Sequence, residues 1–482
     1  MKRPLDAIRA AVRDSVRVNR NVILSSRLPY LRSGLLLLSL WVATNAAGAG
    51  VAVGAETSPA GPLSLSTPSE AVEPVRYSEE WVHKTLIDLH TRYPKLTRVV
   101  SLGRSHEGRP LWALAIGRNL RRHDGRPTIL LNGAHHGVET FSIDLALDAA
   151  EVLLLRSGDQ KSTALRPDPS LDRKVKRWLK ELVVWCVPVV NPDGVWASLH
   201  GYLRTGRKNG RDNNGNGKPD RGDGVDLNRN YPFRWGFLAD KGSSPLPESA
   251  YFRGPAAGSE PETQAMMRLA DSEHFAASLS FHTGNVTVLA PYTIDNVVSP
   301  TPNEAWLVAE DLVAGLPRHP QGKDIIVRRN IYPVDGTDQD YLRAQFGTLA
   351  LLVEGARRDP TQAEARHQVL MAMRPIWTRL LDRYLDGPSV YGVVRDSKGR
   401  PIVAEVRVVE QTMGEQERWL SRCRDGHYDR FLPGPGQYTV RISVPGLPPQ
   451  EKQVTVGKER LRLDFTVEGE VSSGRCPQEP VG

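Results

Sequence analysis

The chain has 482 residues, 40% hydrophobic and 24% charged, an ordinary globular composition that excludes the disordered and fibrous classes. Three cysteines (Cys186, Cys423 and Cys476) are too few for a disulfide scaffold or a four-thiolate zinc site. The formal net charge of +8 is concentrated in residues 1–55, which hold eight Lys/Arg against two Asp/Glu; the rest of the chain is close to neutral, with no basic run interleaved with aromatics, which argues against a nucleic-acid partner.

The first predicted element is an address. A basic segment ends at Arg32, and Ser33 to Ala55 carry no charge around the apolar heart Leu35–Leu38, Leu40 and Trp41. Residues 1–55 therefore read as a signal peptide, with a small-x-small cleavage pattern at Val53-Gly54-Ala55, or as an uncleaved signal anchor. The expected location is secreted or periplasmic, with membrane attachment only in the anchored case. Residues 56–76 form a Pro/Ser/Thr-rich linker.

From 77 to 387, apolar runs at 111–117, 127–132, 182–190, 277–282 and 347–353 alternate with helical periodicity at 139–155, 259–273, 302–314 and 361–385. That alternation predicts an α/β domain, with a mixed, mostly parallel sheet covered by helices on both faces. Cys186 falls inside a buried run and reads as a core thiol. Residues 388–470 change to short alternating runs between Gly/Pro turns, which predicts a small antiparallel β-sandwich, and 471–482 form a tail. Cys423 and Cys476 could pair in an exported protein.

The chemistry concentrates at strand ends. His136 and Glu139 follow the strand PTILLNGAH at i, i+3, and His282 ends the buried run LSFH. Two histidines and a carboxylate can hold zinc and leave a fourth position open. Further along stand Asn191-Pro192-Asp193-Gly194, Gly206-Arg207-Lys208-Asn209, Gly224-Val225-Asp226-Leu227-Asn228-Arg229-Asn230, Gln339-Asp340-Tyr341 and, 22 residues apart, Tyr332 and Glu354. Glu354 comes directly after LALLV, where a carboxylate is costly unless something uses it.

This ordered set resembles the zinc metallocarboxypeptidase family over residues 77–387, and 388–470 resemble the transthyretin-like domain of its regulatory branch. The resemblance implies His136, Glu139 and His282 as zinc ligands and Asp226 as the carboxylate that orients a ligand histidine. It implies Arg207 as the group that polarises the scissile carbonyl and Glu354 as general base. Asn228, Arg229, Tyr332 and Gln339 become substrate contacts, Gln339 at the floor of the pocket for the last side chain. Val138 stands where many members have arginine, and Thr293 where the regulatory branch has an acidic residue. His135 is expected to neighbour the metal, not to bind it. The implied activity is hydrolysis of the C-terminal bond of peptides or proteins with free C-termini; alternatives are action on cell-wall or γ-linked peptides, and an inactive module that binds C-termini.

Residues 210–223 form a polar insertion in which Asp212, Asn214, Asn216, Gly217 and Asp223 match positions 1, 3, 5, 6 and 12 of a calcium loop. A calcium ion in 212–223 and a plain polar loop both fit that composition.

Overall fold

The structure is a computed structural model, and it describes residues 75–120, 125–159, 167–201, 206–294, 296–414 and 417–468. The expected address and linker segments and the C-terminal tail lie outside these residues.

Helix α1 (Glu79–Arg92) leads into an antiparallel pair, β1 (Thr97–Arg104) and β2 (Pro110–Ile116). There follow β3 (Thr128–Gly133), α2 (Phe141–Leu155), α3 (Pro169–Glu181), β4 (Val183–Val187) and α4 (Pro192–His200). Next come α5 (Pro261–Glu273), β5 (Ala277–His282), β6 (Asn285–Leu289), α6 (Glu304–Val313), β7 (Val327–Arg328), α7 (Asp338–Phe346), β8 (Leu349–Ala356) and α8 (Ala363–Asp386). The eight strands form one sheet in the order β1-β2-β4-β3-β5-β8-β6-β7. Its centre, β4-β3-β5-β8, is parallel, and antiparallel pairs flank it.

One face carries α1, α2, α3, α6 and α8 over a large core that includes Leu86, Leu131, Phe141, Trp178, Leu279, Leu351 and Trp377. The other carries α5 and α7 over Trp185, Met266, Leu269, Tyr341 and Phe346. Helix α2 is buried nearly all round. Its two aspartates survive there because Asp144 meets Arg76 and Tyr77, while Asp148 meets Arg374 and Trp377. Cys186 is a free core thiol, as expected: its Sγ lies 3.3 Å from Ala146 O, and burial pushes its pKa far up.

The expected strand over 182–190 stops at Val187, because Pro188 has no N–H for the ladder and the chain turns toward α4. In this domain, helices α1, α3, α4 and α7 and strands β1, β6 and β7 were not among the expected elements.

The C-terminal region has β10 (Glu405–Val408), β12 (Gly436–Ser443) and β13 (Gln450–Val456) in one antiparallel sheet. The facing sheet joins β9 (Ser389–Asp396), β11 (His427–Phe431), β14 (Leu461–Arg462) and β15 (Phe465–Val467). Val390, Val394, Val406, Tyr428, Val440 and Phe465 fill the space between. The expected antiparallel sandwich is present, with one exception: the short strands β14 and β15 run parallel to β9. Cys423 is disulfide-bonded; Cys476, its expected partner, lies outside the described residues.

Candidate metal centre

The parallel centre of the sheet explains where the chemistry collects, because in α/β sheets the carboxyl ends of the strands open into a crevice. His136 and Glu139 sit in the turn between β3 and α2, His282 closes β5, and Glu354 lies on β8. His282 and Glu354 are register partners on the neighbouring parallel strands, so one level of the sheet presents both.

His136, Glu139 and His282 form a cluster whose possible ligand atoms lie within 4.8 Å of one another. His136 Nδ1 is 2.7 Å from Glu139 Oε1, His282 Nδ1 is 2.9 Å from Glu139 Oε2, and the two Nδ1 atoms are 3.2 Å apart. Tetrahedral zinc with bonds of about 2.0–2.1 Å sets its ligand atoms about 3.3 Å from each other. The donor set and its spacing therefore fit zinc. Burial alone would raise the Glu139 carboxyl, but the two imidazoles hold it well below the usual range, so it is anionic and ready to ligate.

Asp226 lies where expected, its Oδ1 3.1 Å from His136 Nε2, and its backbone opens the 3₁₀ turn Leu227–Arg229. A carboxylate on the far nitrogen of a ligand imidazole fixes the ring and its tautomer. Although fully buried, Asp226 stays ionised because Arg207, His136 and Arg229 outweigh the cost of burial. Arg207 is anchored by its Nε to Asp226 Oδ2 at 2.9 Å, while its Nη1 reaches to 3.3 Å from His136 Nδ1.

A cleft of about 380 Å³ opens beside the cluster and is lined by His136, His282, Glu354, Asn228, Arg229, Tyr332 and Gln339, with Leu289, Ile331, Val334 and Leu352 as its apolar wall. Arg229 is tied by Nε to Gly242 O and reaches Tyr332 Oη with Nη2 at 3.4 Å. Asn228 Oδ1 accepts from Asp338 N–H at 2.9 Å. Gln339 Oε1 is buried without a hydrogen-bond partner. Tyr332 is 45% exposed. Burial and then the nearby Glu139 push the Glu354 carboxyl up to about 7.

His135 is a neighbour, as expected: Nε2 lies 3.0 Å from Tyr231 Oη, and burial lowers its pKa to about 4, leaving a neutral ring behind the cluster. Thr293 faces away from the cleft, bonded through both N–H and Oγ1 to Asp340. Val138 is half exposed. In the 212–223 loop, Asp212 accepts from the N–H groups of Asn214, Gly215 and Gly217, and Asp220 and Asp223 take N–H donors as well. Among the described residues, these carboxylates are not in a group close enough to share an ion.

Two contributing residues and one contact were missed. Asp359 accepts from Thr140 Oγ1, Phe141 N–H and Thr283 Oγ1, so it caps α2 and ties the His136/Glu139 turn to the residue after His282. Nothing beside it in sequence marks it. Tyr251 places its ring 5.0 Å from the Arg207 guanidinium and 5.8 Å from that of Arg229. Gly137 and Gly194 touch backbone to backbone; a Cβ on Gly137 would lie 2.0 Å from Gly194 C. Both glycines were legible in their motifs, but their mutual contact was not.

A zinc carboxypeptidase family model matches residues 82–366. Carboxypeptidase D of Drosophila melanogaster is 28% identical over 418 residues, covering 82% of this chain and 27% of that protein. The catalytic chain of carboxypeptidase N of Mus musculus is 25% identical over 435 residues, covering 82% and 87%. Among solved structures, carboxypeptidase A from Helicoverpa armigera superposes with a TM-score of 0.52 at 24% identity over 63% of this chain and 71% of that one, which shows a shared fold. The chain spans only 27% to 58% of the length of the first curated relatives it matches. Half of the chain and more matches one family model on the segment that builds the metal cluster and its cleft, and the protein belongs to the zinc carboxypeptidase family.

Proposed function

We propose that the protein is an exported zinc-dependent carboxypeptidase that removes the C-terminal residue of peptides or proteins. The observation that carries this reading is the cleft itself, which joins a metal cluster and a carboxyl of raised pKa to a buried arginine–asparagine pair. A planar guanidinium donates two parallel hydrogen bonds to a carboxylate, so Arg229 beside Asn228 is suited to hold a free C-terminus.

His136, Glu139 and His282 would hold the zinc, which supplies Lewis acidity and makes water acidic enough to lose a proton near neutral pH. Glu354, across the cleft, accepts that proton as water attacks the scissile carbonyl and returns it to the leaving amine. Arg207, fixed by Asp226, directs a donor toward the cluster where negative charge develops on the carbonyl oxygen. Tyr332 closes over the bound substrate from its exposed position beside Arg229. Export is supported by the uncharged stretch after Arg32 and by the disulfide at Cys423, a bond that persists in oxidising compartments.

The test is a panel of peptides ending in free acids or amides, with and without 1,10-phenanthroline. Release of single C-terminal residues from the acids alone, lost with chelator, is expected; equal cleavage of the amides refutes exopeptidase action. The cleft is lined by the neutral amide of Gln339, whereas Asp335, Asp338 and Asp340 are not among its lining residues. Gln339→Asp should therefore shift kcat/KM toward Lys- over Leu-terminated substrates by about tenfold, the effect of roughly 1.4 kcal/mol. An unchanged ratio would remove Gln339 from the pocket.

A further inference from the structure

At the opposite end of the sheet from the metal cluster, the starts of β3 and β4 (Thr128 and Val183) floor a second cleft of about 410 Å³. Its other wall is the Arg422–Asp425 turn of the C-terminal sandwich, so two regions of the chain build it.

Its lining is rich in donors. Four guanidiniums (Arg98, Arg126, Arg422 and Arg424) face two carboxylates, and both carboxylates are engaged. Asp425 takes Arg422 Nε and Nη2 at 2.9 and 2.6 Å, which outweighs burial and lowers its pKa to about 2. Glu273 takes Arg424 through both oxygens, at 2.7 and 3.0 Å.

Two donors in the same lining find no acceptor. Trp185 is 1% exposed, and its indole Nε1–H has no hydrogen-bond partner. Arg98 Nε is buried without one as well; the guanidinium lies 5.5 Å from the Trp185 ring centre. A buried N–H left unpaired costs about 1–3 kcal/mol, and two of them in one cationic cleft call for an acceptor that brings negative charge.

We propose that this cleft binds a small tetrahedral oxyanion, of the phosphate or sulfate class, between the catalytic sheet and the C-terminal sandwich. Such a ligand has acceptors on every side and carries the charge the lining lacks, whereas a cation would find both carboxylates already taken by arginines. Because it touches both regions, its binding strengthens their docking, and because it lies at the far end of the strands, it leaves the metal cluster undisturbed.

The full-length protein is titrated separately with inorganic phosphate and with sodium sulfate at constant ionic strength, against chloride, by calorimetry and thermal denaturation. Saturable one-to-one heat and a ligand-dependent rise in Tm are expected for at least one anion. Arg98→Met should weaken that affinity at least tenfold and Trp185→Phe severalfold, with peptide hydrolysis by Arg98→Met unchanged. No saturable binding, or equal affinity in a folded Arg98→Met, overturns the proposal. A selenate soak tests it without mutation: an anomalous peak against Arg98 Nε supports the site, and peaks confined to other places refute it.

Discussion

Two His/Glu clusters stand in this molecule, and they differ in what meets their carboxylates. Beside His136, Glu139 and His282, the described residues include a second group whose possible ligand atoms lie within 4.8 Å of one another, His106, Glu260 and Glu262. In the first, Glu139 Oε1 meets only an imidazole nitrogen at hydrogen-bond range, and Oε2 a second imidazole and Thr283 N–H. In the second, Asn209 Nδ2 donates to Glu260 at 2.8 Å and to Glu262 at 3.0 Å, while Ser259 and Arg211 fill the other oxygen of Glu260. An imidazole nitrogen can surrender its proton and present a lone pair, but an amide or a guanidinium cannot. A cation entering the second cluster would have to displace fixed donors. Residue type alone therefore does not mark a metal site; donors that can become acceptors do.

The sharpest break of that contrast is a metal count. His282→Ala should lose bound zinc and hydrolysis together, whereas His106→Ala should keep one zinc per chain by elemental analysis. Two zinc ions in the wild type and one in His106→Ala would erase the distinction. Glu354→Gln comes next: kcat should fall by about 10²–10⁴ with zinc retained, because the change removes a base and not a ligand. Comparable turnover would reassign the base.

Asn209→Ala probes the second cluster. Leaving two buried carboxylates short of a donor should cost about 2 kcal/mol of stability, read by urea denaturation, with the zinc content unchanged. The last effect is one of pH, read as a slope. Burial, followed by Asp193, raises the Glu262 carboxyl from its ordinary 4.5 to about 7. The folded state then holds its proton longer than the unfolded chain, so stability is fullest below 4.5 and declines as pH rises toward 7. The slope is at most about 1.4 kcal/mol per pH unit. Glu262→Gln should flatten that decline, and an unaltered slope would place its cause in another group.

Local pattern accounts for what could be read in advance. His136, Glu139 and His282 were legible because each follows an apolar strand, where a polar side chain needs a reason to be. Asp226, Asn228 and Arg229 were legible by likeness of motif, as were Arg207 and Glu354. Asp359 was not, because the amide it caps, that of Phe141, is more than two hundred residues away in the chain. Strand β11 eludes a hydropathy pattern for a different reason: it carries His427, Asp429 and Arg430, yet all five of its residues are buried. His427 pairs with Asp429 at 2.6 Å, and Arg430 is taken up by the carbonyls of Val406 and Trp419. Mutual satisfaction hides polar residues from a hydropathy pattern. The stripe Leu171, Val175, Trp178 and Leu179 of α3 was similarly overshadowed by the charges around it.

The backbone contact between Gly137 and Gly194 divides the site by how freely it can diverge. No side chain larger than hydrogen fits at Gly137, so the turn bearing His136 and Glu139 is welded to the start of α4 and cannot shift alone. The wall formed by Leu289, Ile331, Val334 and Gln339 is made of side chains and carries no such weld. Selection for new specificity in the laboratory should therefore accumulate its changes in that wall and almost none in 133–139 or 191–194, a molecule with a frozen reactive half and a pliable recognising half.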